Sequence, residues 1–278
     1  MEATAMATMA QTPHKMTTLA NMIMNQTRLY TRDDEPEQAP TCEFCGEKLV
    51  ANKFFNTLNG RFIQIGWKPC MCDGAKAKRA EDEAREAAEA KAERDAKRAK
   101  LLQNAGVGLR YVNAHTTNCA ELSDKIQNEK CNLFITGNVG SGKTYLACAT
   151  LGEMVFKTTV KFTYFNTLVN DLMRYHDETA GSLMSACKKC GVLVIDDMGK
   201  ENMSDFVVSQ IFELVNERYA NMKPTIVTSN FTVAELEKRL ASKGNVDTAK
   251  AIVSRLTDNC HILKLQHEDR RKTRTAKD

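Results

Sequence analysis

The sequence predicts an α/β protein with a mostly parallel sheet, preceded by a small four-cysteine module and a charged helical linker. Three observations carry this prediction. From residue 104 onward, apolar runs of strand length alternate with helical patterns, which yields a parallel sheet covered on both faces. Four cysteines fall in two close pairs nearer the amino terminus. Between these regions lies a stretch of almost pure Ala, Glu, Asp, Lys and Arg. The expected organisation is a flexible segment over 1–40, the cysteine module over 41–74, a helical linker over 75–103 and the α/β domain over 104–278.

Composition narrows the class. Of the 278 residues, 27% are charged and 42% hydrophobic, so the chain is neither disordered throughout nor membrane-embedded. No stretch approaches the ~20 apolar residues of a spanning helix, and residues 1–30 lack a basic start followed by an apolar run. A cytoplasmic protein with no membrane partner is expected. The net charge of +4 permits an anionic partner without requiring one. Ten cysteines without an export signal argue for reduced thiols or metal ligands, not a disulfide framework.

In order, residues 1–40 are rich in Thr, Met and Gln and end in an acidic, Pro-punctuated tether, Asp33 to Pro40. Met16, Leu19, Met22, Ile23 and Met24 fit one side of a short helix, so this segment reads as a loose terminus or as an apolar docking segment. Next, Cys42-x-x-Cys45 is followed, after 24 intervening residues, by Cys70-x-Cys72. Each pair can bite one tetrahedral Zn2+, and Gly46 suits a tight metal knuckle. So short a module has too small a core to fold without a metal. Residues 75 to about 103 are mostly strong helix formers with no apolar stripe, giving one solvated helix of ~40 Å. Beyond Gly106-Val107-Gly108, strands are expected at 133–136, 161–165, 192–195, 225–228 and 261–265. Helices are expected at 145–156, 168–175, 205–219 and 233–240.

The most specific motif is Gly137-Asn138-Val139-Gly140-Ser141-Gly142-Lys143-Thr144, which fits G-x-x-x-x-G-K-[ST] at every fixed position between a strand and a helix. The glycines let successive backbone N–H groups face a polyphosphate at the helix N-terminus. Lys143 would contact the terminal phosphates, and the Thr144 hydroxyl would ligate Mg2+. About fifty residues later the apolar strand 191–195 ends in Asp196-Asp197, two carboxylates that a core strand carries only for a purpose. Asp196 is expected to hold Mg2+ through water, and Asp197 to orient or deprotonate the attacking water. A third strand delivers Ser229-Asn230 at its carboxyl end, where ligands sit in such sheets. Asn230 can there fix the water or a γ-phosphate oxygen.

The series GNVGSGKTYLA, VLVIDDMG, NERYANMKPTIVTSN and SRL resembles the ATPase domain of the DnaC/DnaI-type helicase loaders, within the AAA+ superfamily; the transposition ATPase IstB has a similar domain. The resemblance covers about residues 104–272, beginning with the lead-in Leu102-x-x-Ala105-Gly106-Val107-x-x-Arg110-Tyr111. It implies a P-loop AAA+ ATPase domain that binds ATP, Mg2+ and single-stranded DNA, self-assembles into ATP-dependent oligomers and serves a hexameric DnaB-type replicative helicase. By the same resemblance Asn230 is the γ-phosphate sensor, Arg255 an arginine finger reaching a neighbouring subunit's nucleotide, and Arg271 or Arg270 the second sensor. The helical lid is expected to be absent or vestigial, since 23 residues follow Arg255. One departure is Asp197 where AAA+ proteins usually carry Glu, which implies slow hydrolysis.

The loader resemblance assigns the cysteine module to helicase docking, although Lys48, Lys53, Arg61 and Lys68 equally suit nucleic acid. The segment 167–189, with Arg174, Lys188 and Lys189, is the expected contact for a DNA strand. Cys187-Lys188-Lys189-Cys190 has no partner pair and reads as ordinary loop cysteines, not a second zinc site. The leading reading is a helicase loader for DNA replication, with a phage or prophage among the sources considered. The rivals are an IstB-like transposition ATPase and a zinc-ribbon nucleic-acid-binding protein with a nucleotide switch.

Overall fold

The computed structural model describes residues 39–56, 61–173, 182–201, 203–241 and 245–266. The expectations for residues 1–38, for Arg174 and for Arg270 and Arg271 lie outside them. The chain divides into two compact units, Met1–Ala90 and Lys91–Asp278.

In the first unit an antiparallel hairpin, β1 (Ala51–Asn56) and β2 (Arg61–Trp67), follows the first cysteine pair and precedes the second. A hairpin returns the chain to its starting point, and here Lys68 N–H donates to Val50 O at 2.7 Å. The two cysteine pairs are thereby brought to the same end. Helix α1 (Asp73–Asn104) begins directly after Cys72 with Asp73 in its first turn, where a negative charge complements the helix dipole. Its exposed surface carries Lys78–Glu81, Lys78–Asp82 and Arg85–Asp82 pairs at 3.6, 3.6 and 3.0 Å, each contributing only about 0.3–0.5 kcal/mol.

The second unit takes up the last turns of α1, so the helix is not solvated along its whole length as its composition suggests. Leu102 is fully buried. Arg98 donates to the carbonyls of Gly152, Val112 and Ala114 at 3.0, 3.0 and 3.1 Å. Next come α2 (Cys119–Glu129), β3 (Asn132–Gly137), α3 (Lys143–Met154), β4 (Val160–Tyr164), α4 (Phe165–Leu172), α5 (Ser182–Lys189) and β5 (Val192–Asp196). The unit is completed by α6 (Asp205–Ala220), β6 (Thr225–Ser229), α7 (Val233–Leu240), α8 (Val246–Thr257) and β7 (Cys260–Leu265). All five strands pair in parallel, in the order β4-β5-β6-β3-β7.

The strands alternate between two cores. Leu133, Ile135, Val192, Val194 and Ile226 pack with α2, α3 and the end of α1. Phe134, Leu193, Ile195 and Val227 pack with the helices α4 to α8. Period-2 alternation in strands apolar on both faces is what a doubly covered parallel sheet requires. The chain leaves β3 towards the β4 edge but leaves β6 towards β7 on the opposite side. Adjacent strands with diverging connections open a crevice at their carboxyl ends, and the loops after β3, β5 and β6 meet there.

Candidate nucleotide site and zinc centre

The loop after β3 is shaped by glycines. Gly140 and Gly142 adopt φ of 81° and 96°, a conformation that residues with a Cβ rarely adopt. Gly142 is also the N-cap of α3 and supplies no side-chain cap, so the first-turn N–H groups remain available to an anion. Ser141 Oγ is buried without a hydrogen-bond partner. Lys143 is 6% exposed and its Nζ donates to the carbonyls of Gly137 and Asn138, both at 2.9 Å. Gly140, Gly142 and Lys143 border a cleft of about 670 Å³ whose lining includes Arg110, Tyr111, His115, Asp197 and Asn230.

At the end of β5 the two carboxylates diverge. Asp196 is 1% exposed and accepts from Thr144 Oγ1 at 3.0 Å and from Thr228 Oγ1 at 2.6 Å. Burial raises its pKa, against the lowering influence of both hydroxyls and of Lys143. Asp197 turns out into the cleft with φ of 62°, a left-handed backbone that Asp tolerates better than most residues. Its N–H donates to Thr228 Oγ1 at 2.9 Å, and its carboxylate accepts from Lys200 at 2.7 Å. One hydroxyl on β6 therefore fixes both Asp196, the last residue of β5, and Asp197 just after it.

The structure thus brings Lys143, Thr144, Asp196, Asp197 and Asn230 to one sheet edge. Arg255 lies elsewhere, on α8 and turned against α6, where its Nε donates to Asn216 Oδ1 at 2.9 Å and its guanidinium lies 5.0 Å from the Phe212 ring centre. Thr228 and Lys200 carry no motif. A threonine in a strand reads as a β-former, and a lysine after a turn as a solvated charge.

The residues present fit a hard divalent cation. Mg2+ takes oxygen ligands and keeps several of its waters. The Thr144 hydroxyl supplies one such oxygen, and the buried Asp196 carboxylate, 3.0 Å from it, is placed to accept from a metal-bound water.

The four amino-terminal cysteines form a second centre, with all their sulfur atoms within 4.8 Å of one another. Cys42 Sγ lies 3.7 Å from Cys72 Sγ, and Cys45 Sγ 3.4 Å from Cys70 Sγ. A ZnS4 tetrahedron with bonds of about 2.3 Å has edges of about 3.8 Å, so the donor set and its size fit zinc. The knuckle is closed by backbone bonds, Gly46 N–H to Cys42 O and Cys42 N–H to Glu47 O, both 2.8 Å. The N–H groups of Phe44 and Cys45 lower the Cys42 thiol to about 7, while the neighbouring thiols and burial push Cys45 up to about 12 and raise Cys72.

Cys187 and Cys190 serve neither centre. Their carbonyls accept from Arg218 at 2.7 and 2.9 Å, and Pro224 O and Thr225 Oγ1 take further bonds at 2.6 and 3.0 Å. Arg218 is 1% exposed, and these oxygens replace the water it has lost. Lys188 is paired with Glu213 and Glu217 instead of standing free for a DNA phosphate. Lys189 is exposed.

A glycine-shaped loop between strand and helix, with its Lys and Thr beside a strand-end aspartate in a parallel sheet, defines a P-loop nucleotide-binding protein. The family model of IstB-like ATP binding proteins matches residues 76–278, and the chain belongs to that family. The uncharacterized protein YqaM of Bacillus subtilis (strain 168) is 32% identical over 144 residues, 49% of this chain and 43% of that protein. The chain therefore spans less than half of that relative's length. The replicative helicase loader DnaI of the same organism is 24% identical over 259 residues, covering 84% of this chain and 80% of that protein. Among solved structures, the crystal structure of DnaI matches with 25% identity and a TM-score of 0.48, over 54% of this chain and 81% of that one. Among the described residues, no helix is long and apolar enough to cross a membrane.

Proposed function

We propose that the chain is an ATPase of DNA replication that loads a hexameric replicative helicase onto single-stranded DNA. The observation that carries this reading is that the similarity to DnaI runs over 84% of the chain. The IstB-like family model, by contrast, begins at residue 76 and leaves out the cysteine module. A transposition ATPase is the second reading, favoured by the family's own description.

In this reading Gly137, Asn138, Val139, Gly140, Ser141 and Gly142 wrap the phosphates. Lys143 exchanges two backbone carbonyls for the terminal phosphates of ATP. Thr144 and Asp196 hold Mg2+, which when bound neutralises charge building on the phosphoryl group. Asp197 accepts a proton as water oxygen bonds to the γ-phosphorus, the β,γ-bridging P–O bond breaks and ADP leaves. Asn230 orients that water. Arg255 acts on the nucleotide of a neighbouring copy, with Arg271 or Arg270 as the second sensor. The zinc module is the helicase grip, because it exposes Phe44, Phe54 and Met71 at 54%, 61% and 67%, more apolar surface than so small a unit needs for itself.

The test is capture of the host's hexameric helicase on the full-length protein, followed by helicase loading on a single-stranded DNA circle with ATP. Loss of capture in Phe44→Asp/Phe54→Asp with ATP binding retained supports the reading. Capture of a transposase with no helicase would transfer the protein to the second reading.

A further inference from the structure

We propose that His115, Cys119 and Glu153 form a second Zn2+ site, on the rim of the nucleotide cleft and separate from the four-cysteine centre. Three donor atoms of three different kinds converge there in a nearly equilateral triangle. Cys119 Sγ lies 3.7 Å from His115 Nδ1 and 3.6 Å from Glu153 Oε1, and those two lie 3.7 Å apart. A tetrahedral zinc with bonds of about 2.3 Å to sulfur and 2.0–2.1 Å to nitrogen and oxygen spans edges of about 3.4–3.6 Å. The triangle needs to contract by only a few tenths of an ångström.

The scaffold holds this geometry in place. His115 and Cys119 flank the turn that starts α2, and Glu153 projects from the last turn of α3. Tyr145, on the first turn of α3, clamps the turn: its hydroxyl accepts from His115 N–H at 3.2 Å and donates to His115 O at 3.3 Å. Cys119 is fully buried, whereas the His115 side chain is 74% exposed, so an ion reaches the thiolate from the solvent side. Without a metal the Cys119 thiol donates to Thr116 O at 2.8 Å, a bond it gives up when it binds an ion as the thiolate, and the His115–Glu153 contact adds little. A His–Glu pair at 3.7 Å with one exposed partner is worth about 0–1 kcal/mol. The same turn buries Thr116 Oγ1 without a hydrogen-bond partner.

Sulfur, nitrogen and carboxylate donors select a borderline ion such as Zn2+ over Mg2+ or Ca2+, which take oxygen. Three protein ligands leave one position for water or another ligand. Since His115 also lines the cleft, an ion here would pin the cleft wall to α3.

The test counts zinc on the full-length protein after equilibration with Zn2+ and desalting. About two equivalents per chain are expected, falling to about one in His115→Ala and, separately, in Cys42→Ser. His115→Ala removes an exposed ring and leaves the fold intact, which keeps the result readable should the buried Cys119→Ser variant misfold. About one equivalent in wild type, unchanged by His115→Ala, overturns the proposal. So does retention of both in His115→Ala, which would move the second ion to another grouping such as Glu129, Cys131 and His261. The count does not depend on the ATPase reading, because Lys143→Ala leaves all three ligands in place.

Discussion

Replacing Thr228 by Val removes one hydroxyl and keeps the β-branched shape of a fully buried residue in β6. Two bonds go with it. The donor to Asp196 Oδ1 at 2.6 Å serves a buried carboxylate, and hydrogen bonds to charged groups contribute about 1.5–3 kcal/mol. The acceptor for Asp197 N–H at 2.9 Å leaves that group without its partner, at about 1–3 kcal/mol if it stays buried. Relaxation of the Asp197 turn recovers part of this, so a net loss of about 3 kcal/mol is expected. For a unit of this size that lowers the melting temperature by about 6–12 °C. Asp197 sits in a left-handed conformation costing about 1–2 kcal/mol, and the lost bond also frees it to drift from the cleft, so hydrolysis should fall as well. Thr228→Ser is the control, since it keeps the hydroxyl and loses a methyl. The assay is thermal unfolding of the full chain without nucleotide, with ATP turnover measured alongside. Should the Val and Ser variants melt within about 2 °C of one another, the hydroxyl does not organise the acidic pair.

Three further outcomes are expected. Asp196→Asn should raise the melting temperature of the nucleotide-free protein at neutral pH while abolishing Mg2+-dependent hydrolysis. Burial raises the Asp196 pKa in the folded state, so its stabilising influence is complete below the unfolded carboxylate value and is lost as pH rises through the folded one. The gap between variant and wild type should widen across that window, and a gap that instead grew in acid would reverse the argument. Lys200→Ala should speed basal hydrolysis by up to about fivefold, the equivalent of an exposed ion pair worth up to about 1 kcal/mol, because it releases the Asp197 carboxylate; a fall in turnover would make Lys200 part of the machinery instead. Arg255→Ala and Lys143→Ala should each be inactive yet recover part of the ATPase rate when mixed, because some interfaces then join an intact pocket to an intact finger. A mixture as inactive as its components would leave Arg255 only its packing against Phe212 and Asn216.

What was legible in the sequence follows from where the chemistry is concentrated along the chain. The phosphate loop is eight consecutive residues whose types are dictated by one ligand, so it is read at once, and the apolar strand ending in Asp196-Asp197 is nearly as direct. The three central strands, β3, β5 and β6, were legible for a related reason: each is a short run buried on both faces, whereas the edge strands β4 and β7 carry polar residues and read less directly. Helix α2 escaped because its buried stripe of Cys119, Leu122, Ser123 and Ile126 has the right spacing but only two conventional apolar residues. The supports of the site escaped for a different cause. Thr228 acts on residues over thirty positions away, and its role depends on the register that sets β6 beside β5, which no local pattern encodes. The Cys187–Cys190 spacing shows the reverse hazard. It has the form of a metal-binding pair, yet here both carbonyls and the Cys190 sulfur accept from a guanidinium contributed by α6. His115, Cys119 and Glu153 combine both difficulties, since two ligands lie in a spacing without a familiar motif and the third arrives from another helix. A site assembled across elements becomes visible only when distances can be measured. That is why counting zinc separates the two centres in a way that cysteine spacing alone does not.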